Sequence, residues 1–80
     1  MIEFDRQAVK DLSKLSSKLQ KHIMDVLERL DNESVGDVKK LKGVEFYRLR
    51  VSNYRVIFKL EKKVLYVVRV LPRGSAYKNL

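Results

Sequence analysis

Residues 47–60 read YRLRVSNYRVIFKL, two short runs in which arginine alternates with apolar residues on either side of Ser52-Asn53. Successive side chains of a strand point to opposite faces, so Arg48 and Arg50 share one face of the first run, and Arg55, Ile57 and Lys59 one face of the second. A two-residue turn at Ser52-Asn53 pairs Val51 with Tyr54, Arg50 with Arg55, Leu49 with Val56 and Arg48 with Ile57. A slip by one residue would bury the arginines, so this register is well determined. Like charges facing each other across a ladder destabilise it, and something outside the fold is expected to compensate them. Guanidinium groups bind phosphate bidentately and stay charged at any working pH. The chemistry available is phosphate recognition and the stabilisation of charge that grows on phosphorus during transfer.

The next run extends the cluster. A three-residue turn at Glu61-Lys62-Lys63 pairs Leu60 with Val64 and places Val64, Tyr66, Val68 and Val70 on the core face, with Arg69 opposite Arg55. A two-residue turn would put Arg69 in the core, which an unpaired charge resists. Leu65, Val67 and Leu71 break the polar alternation and point to a central strand. Arg73 follows just past the strand end.

Other chemistry is thinly represented. Cysteine is absent, which removes disulfides, thiolate nucleophiles and thiolate metal sites and suits a cytoplasmic protein. His22 is the only histidine and sits beside an apolar helical stripe, a place more typical of packing or surface than of catalysis. Glu45 is a possible base that nothing in the sequence fixes near the arginines. Asp11, Asp25 and Glu28 fall on helices, where solvation is expected. No spacing suggests a metal site and no cofactor is expected.

The elements that must hold the arginines follow from pattern. MIEF reads as a strand, and Asp5 as the cap of a helix whose apolar face is Val9, Leu12 and Leu15. Ser17 and Gln20 fit a capping box at the start of a second helix, with a stripe of Leu19, Ile23, Val26, Leu27 and Leu30. Asp31-Asn32-Glu33-Ser34 ends it, and GDVKKLKGVEF reads as a basic connection into a sheet. Runs at 46–51, 54–60 and 64–71 form an antiparallel meander, whose core face includes Tyr47, Leu49, Val51, Tyr54, Val56, Phe58 and Leu60. The fold class is α+β, in the order β-α-α-β-β-β, with a helical hairpin on one face of a small twisted antiparallel sheet. Its 80 residues form a single domain, 1–80, with no signal segment or membrane span. The net charge of +8 lies wholly in the second half: residues 1–34 hold 6 basic and 7 acidic side chains, residues 35–80 hold 12 and 3. A localised basic surface attracts polyanions, nucleic acid first among them.

KDLSKL in the first helix, KKLKG before the sheet, YRLRVSNYRVIF across the hairpin and RGSAY near the end together resemble the RelE/ParE toxin superfamily, closer to its RelE branch. The resemblance spans nearly the whole chain, and the Y-R-L-R-V-x-x-Y-R-V-I pattern is its most specific part. It implies the toxin of a type II toxin–antitoxin system: an endoribonuclease that cleaves messenger RNA in the ribosomal A site by metal-free attack of a 2′-hydroxyl. Its implied partners are a RelB-like antitoxin, joined with it in a hetero-oligomer, and the ribosome with its messenger. By position, Arg48 and Arg50 match the basic pair of the first hairpin strand and Arg55 the phosphate-binding arginine of the second. Arg73 matches the arginine that stabilises the transition state, and Tyr77 the tail tyrosine implicated in stacking and proton transfer.

Active relatives often carry lysines where this chain has Arg48 and Arg50, and one of those lysines is a proposed general base. Arginine does not give up its proton in a protein, so these positions carry over binding rather than proton transfer. Two alternatives stand beside this reading: a ParE-like inhibitor of DNA gyrase, and a catalytically weak homologue that acts by binding.

Overall fold

Asp5 is the point where the chain turns from strand to helix. The computed structural model describes residues 1–74, in the order β1 (Ile2–Phe4), α1 (Arg6–Ser13), α2 (Ser17–Glu33), β2 (Val38–Lys40), β3 (Tyr47–Val51), β4 (Tyr54–Glu61) and β5 (Val64–Pro72). The Asp5 carboxylate accepts the Gln7 N–H at 3.2 Å, satisfying a donor that the first helical turn leaves without a partner. The buried face of α1 carries Ala8 and Asp11, with Leu12 and Leu15 partly covered. That is the i, i+3, i+4, i+7 stripe of an amphipathic helix. Val9, expected on this face, is exposed.

The cap of α2 is Ser16, which accepts the Leu19 N–H at 3.2 Å. The capping box expected at Ser17 and Gln20 does not form. Gln20 Nε2 instead donates to the Leu12 and Leu15 carbonyls at 2.7 and 3.0 Å, closing the end of α1 and fixing the helical hairpin. Ile23 and Leu27 are the buried centre of α2, which ends at Ser34 in the left-handed region with φ 57°.

The sheet runs β1-β5-β4-β3-β2. It is mixed rather than purely antiparallel, because β1 lies parallel to β5 while the other neighbours are antiparallel. The VKK of the expected connection forms a further strand, β2, pairing Val38, Lys39 and Lys40 with Leu49, Arg48 and Tyr47. All three of its residues are exposed, and lysine on an edge strand discourages pairing with other chains. Leu49, Val51, Val56, Phe58, Leu65, Val67 and Val70 meet Ala8, Ile23 and Leu27 in one core. Among the described residues, no helix is long and apolar enough to cross a membrane.

The first hairpin has the expected register throughout. The second does not. Its turn is the two residues Lys62-Lys63, with φ 46° and 70°, the double left-handed geometry of a type I′ turn. Leu60 therefore pairs with Leu65, Lys59 with Tyr66 and Phe58 with Val67, and a bulge between Ile57 and Phe58 shifts the rest. Beyond the bulge, Ile57 faces Arg69, Val56 faces Val70 and Arg55 faces Leu71. Leu65 and Val67 consequently line the core in place of Val64, Tyr66 and Val68, and Leu60 is 55% exposed. The bulge absorbs one extra residue, so a two-residue turn keeps Arg69 out of the core after all.

Candidate nucleic-acid interface

On the sheet face away from the core, Arg50 stands directly opposite Arg55, and Arg48 opposite Ile57. The two-residue turn between the strands has φ 52° at Ser52, and the strict alternation behind it sends Leu49, Val51, Val56 and Phe58 into the core. Strand positions hold the arginines more rigidly than loop positions would. Arg48 is only 8% exposed, and Ile57 between the arginines is fully buried. Arg48 Nη1 has no hydrogen-bond partner among the described residues. A buried guanidinium with a donor still to satisfy favours an anion at this surface. Arg55 is half-buried and Arg50 exposed.

Arg50 is tied to the loop that precedes β2. Its backbone N–H donates to the Asp37 carbonyl at 3.0 Å, and its Nε lies 3.8 Å from Asp37 Oδ2. At the same end of the hairpin, the Arg73 N–H donates to the Asn53 carbonyl at 2.6 Å. That bond sets the start of the tail beside the turn, next to the Arg50–Arg55 pair. Arg73 itself is exposed. Tyr77 lies outside the described residues.

Lys59 and Arg69 are differently placed from Arg48, Arg50 and Arg55. Lys59 Nζ sits 3.0 Å from Glu61 Oε1 and 5.5 Å from the centre of the Tyr66 ring. The hydrogen bond it donates to the Glu61 carboxylate holds the Lys59 ammonium above its ordinary pKa. Tyr66, expected in the core, lies on the Lys59 side because of the changed register. Arg69 shares a sheet position with Ile57 rather than with Arg55, and its guanidinium turns to α1, with Nε 2.8 Å from Asp11 Oδ2.

Asp11 was expected to be solvated, yet it is buried and also accepts the Val70 N–H at 2.9 Å and Gln7 Nε2 at 3.2 Å. Burial alone would raise the Asp11 carboxyl. The hydrogen bonds from Arg69, Val70 and Gln7, with the charge of Arg69, outweigh it and hold the group below the usual carboxylate range. A signal was present in the sequence, because Asp11 falls inside the Ala8, Leu12, Leu15 stripe.

Comparison with known proteins places this geometry. A family model described as the ParE toxin of the type II toxin–antitoxin system, parDE, matches residues 2–77. Toxin RelE3 of Methanocaldococcus jannaschii is 34% identical over 80 residues, covering 92% of this chain and 91% of that protein. The chain belongs to the RelE/ParE toxin superfamily. This RelE/ParE toxin is also similar in structure to the toxin of a RelB–RelE antitoxin–toxin complex from Methanococcus jannaschii, with a TM-score of 0.77, 32% identity and 96% of each chain covered. An archaeal RelE–RelB complex from Pyrococcus horikoshii OT3 gives 0.78 and 31%, covering 94% of this chain and 96% of that one. The RelE-type fold thus spans the helical hairpin, the meander and the arginine face together.

Proposed function

We propose that this RelE-type toxin is a ribosome-dependent endoribonuclease that cuts messenger RNA through attack of a ribose 2′-hydroxyl on the adjacent phosphate. The observation that carries the reading is the convergence of Arg48, Arg50 and Arg55 on one face of a rigid hairpin, with Arg73 fastened beside its turn. Cleavage of this kind needs in-line geometry and compensation of the charge that accumulates on phosphorus. Arg48 and Arg50 hold the messenger backbone, while Arg55 and Arg73 clamp the reacting phosphate. Lys59 and Arg69 flank the path and contribute field more than contact, since each already has a carboxylate partner. Tyr77 follows Arg73 closely enough in sequence to reach the same phosphate or a flanking base.

The partner in this proposal is a RelB-like antitoxin, because the similar solved toxins are held in RelB–RelE complexes. An acidic or amphipathic antitoxin segment on the arginine face would neutralise its charge and exclude the messenger. Primer extension on translated messenger after induction tests the activity: new 3′ ends inside reading frames, absent from Arg55→Ala and Arg73→Ala strains, are expected. Growth arrest that survives both substitutions overturns it.

A second reading, inhibition of DNA gyrase, is favoured by one observation, the ParE description of the matching family model. Poisoning of gyrase by the purified protein in a supercoiling assay would move the function there.

A further inference from the structure

The nuclease reading needs a group to take the proton that leaves the 2′-hydroxyl as its oxygen attacks; the resemblance points to Tyr77, which lies outside the described residues. Arg48, Arg50 and Arg55 cannot take it, because a guanidinium stays protonated in a protein. His22 is exposed on α2, across the sheet from the arginines. Among the described residues, carboxylates are the side chains ordinarily unprotonated at neutral pH, and all 10 Asp and Glu side chains of the chain lie within them.

Position and existing partners remove nine of them. Asp11 is buried and saturated by Arg69, Val70 and Gln7. Asp31 holds the N-terminal ammonium at 2.8 Å, and Asp5 caps α1. Asp25, Glu28 and Glu33 are on α2, two of them paired along the helix. Glu3 is on β1, at the opposite sheet edge from β2. Glu61 is bonded to Lys59 at the far end of β4 from the Ser52-Asn53 turn, and Glu45 lies towards that same end. Asp37 remains, and it adjoins Arg50 of the first hairpin.

We propose that Asp37 is the general base of this toxin, taking the proton of the 2′-hydroxyl that attacks the phosphate clamped by Arg55 and Arg73, next to Arg50. Three features suit it to the task. Its backbone carbonyl is bonded to the Arg50 N–H at 3.0 Å, so the residue is fixed to β3 although it precedes β2. Its carboxylate is 60% exposed, open to a substrate arriving over the arginine face. Its contact with Arg50 Nε, at 3.8 Å between two exposed groups, is of the weak kind that solvent and substrate displace easily. When a phosphate takes the Arg50 guanidinium, the Asp37 carboxylate is released next to the phosphate that the attacking ribose carries.

The inference rests on the nuclease reading. The O–H bond of the 2′-hydroxyl breaks and its proton passes to Asp37. A bond forms from the 2′-oxygen to phosphorus, and the bond from phosphorus to the 5′-oxygen breaks. The departing 5′-oxygen takes a proton from water, and Asp37 returns its own to solvent, leaving a 2′,3′-cyclic phosphate and a 5′-hydroxyl. The cations on this face beside Asp37 are Arg50 on β3, Arg55 opposite it on β4, and Lys39 on β2. They orient the carboxylate, and they are themselves constant in charge through the neutral range.

The test is single-turnover cleavage of messenger on programmed ribosomes as a function of pH, with ribosome binding and thermal unfolding measured in parallel. Wild-type cleavage is expected to slow as the pH falls. Asp37→Asn is expected to lose about 10²- to 10⁴-fold in rate and to lose the acid limb of the profile. Its binding and unfolding temperature should be retained, and Asp37→Glu should recover part of the rate with the limb restored. Wild-type rates in Asp37→Asn overturn the inference, as does an acid limb that persists in that variant, or a rate loss matched by an equal loss of binding. A wild-type protein that cuts nothing on the ribosome overturns the nuclease reading, and this inference with it.

Discussion

Asp11 on α1 and Arg69 on β5 are joined at 2.8 Å where β5 has run past its parallel neighbour. The last β1 pairing is Phe4 with Val67, which leaves the Val70 N–H without a strand partner, and Asp11 accepts it at 2.9 Å. One carboxylate thus seals a sheet edge, ties α1 to it and holds a guanidinium beside the bulge.

Removing that carboxylate should cost much of the stability of so small a protein. Asp11 is 8% exposed and Arg69 33%, so the pair is only partly screened. Asp11→Asn is expected to lower the unfolding free energy by about 2 kcal/mol, and Asp11→Ala by about 3 kcal/mol. Urea titration measures both. The Asp11 pKa is depressed on folding, so its contribution is present above the pKa of the unfolded chain, about 3.9, and fades as the pH falls through the lower folded value. The difference between wild type and Asp11→Asn should be constant near neutrality and shrink below about pH 4. A difference that grows on acidification would contradict the assignment.

The first hairpin was legible in the sequence because its alternation is strict and only one register keeps three arginines out of the core. The second was not, for two reasons that compound. Lys62-Lys63 carries none of the Asn or Gly that normally mark a type I′ turn, and the bulge beside Ile57 has no residue signature of its own. A bulge reverses strand parity, so the sequence pattern placed Val70 correctly while inverting Val64 through Val68. β2 escaped because three exposed residues show no apolar period. Arg48, Arg50 and Arg55 could be recognised from spacing, whereas Asp11 and Asp37 acquire their roles from partners distant in the chain.

The same turn offers a stabilising substitution. Lys62 and Lys63 both sit in the left-handed region, where a side chain is disfavoured and Asn-Gly is at ease. Replacing the pair by Lys62→Asn with Lys63→Gly should raise the unfolding free energy by about 1 kcal/mol, or about 4–8 °C in melting temperature for a domain of this size. Both residues are exposed at the end of the hairpin opposite the Arg50–Arg55 pair, so RNA binding should be unchanged. A lowered melting temperature would show that another turn forms in solution.

Arg48 should show stability exchanged for function. It is nearly buried, and one of its donors has no protein partner among the described residues. Replacing a buried charge by an apolar residue of similar length is often stabilising. Arg48→Met is therefore expected to raise the urea midpoint, by about 1 kcal/mol in unfolding free energy, while weakening binding to a single-stranded RNA. Filter binding across a salt series should give a log–log slope shallower by about 0.7, one phosphate contact fewer. A slope equal to wild type would remove Arg48 from the interface.

Arg55 and Arg69 were expected to face each other as equals, and the structure separates them into two kinds of arginine. Arg69 is bonded to Asp11, so its loss leaves a buried carboxylate short of a partner. Arg69→Ala should lower the unfolding free energy by about 1–3 kcal/mol, and at a temperature where the variant is folded its cleavage rate should remain within a few-fold of wild type. Arg55 stands opposite Arg50 on the arginine face, where it is placed for a phosphate. In the folded protein, Arg55→Ala should reduce single-turnover cleavage by about 10²- to 10³-fold, the usual effect of removing one donor from a developing anion. Unfolding and cleavage measured on the same preparations separate the two roles. A large rate loss in folded Arg69→Ala would return that residue to the phosphate site.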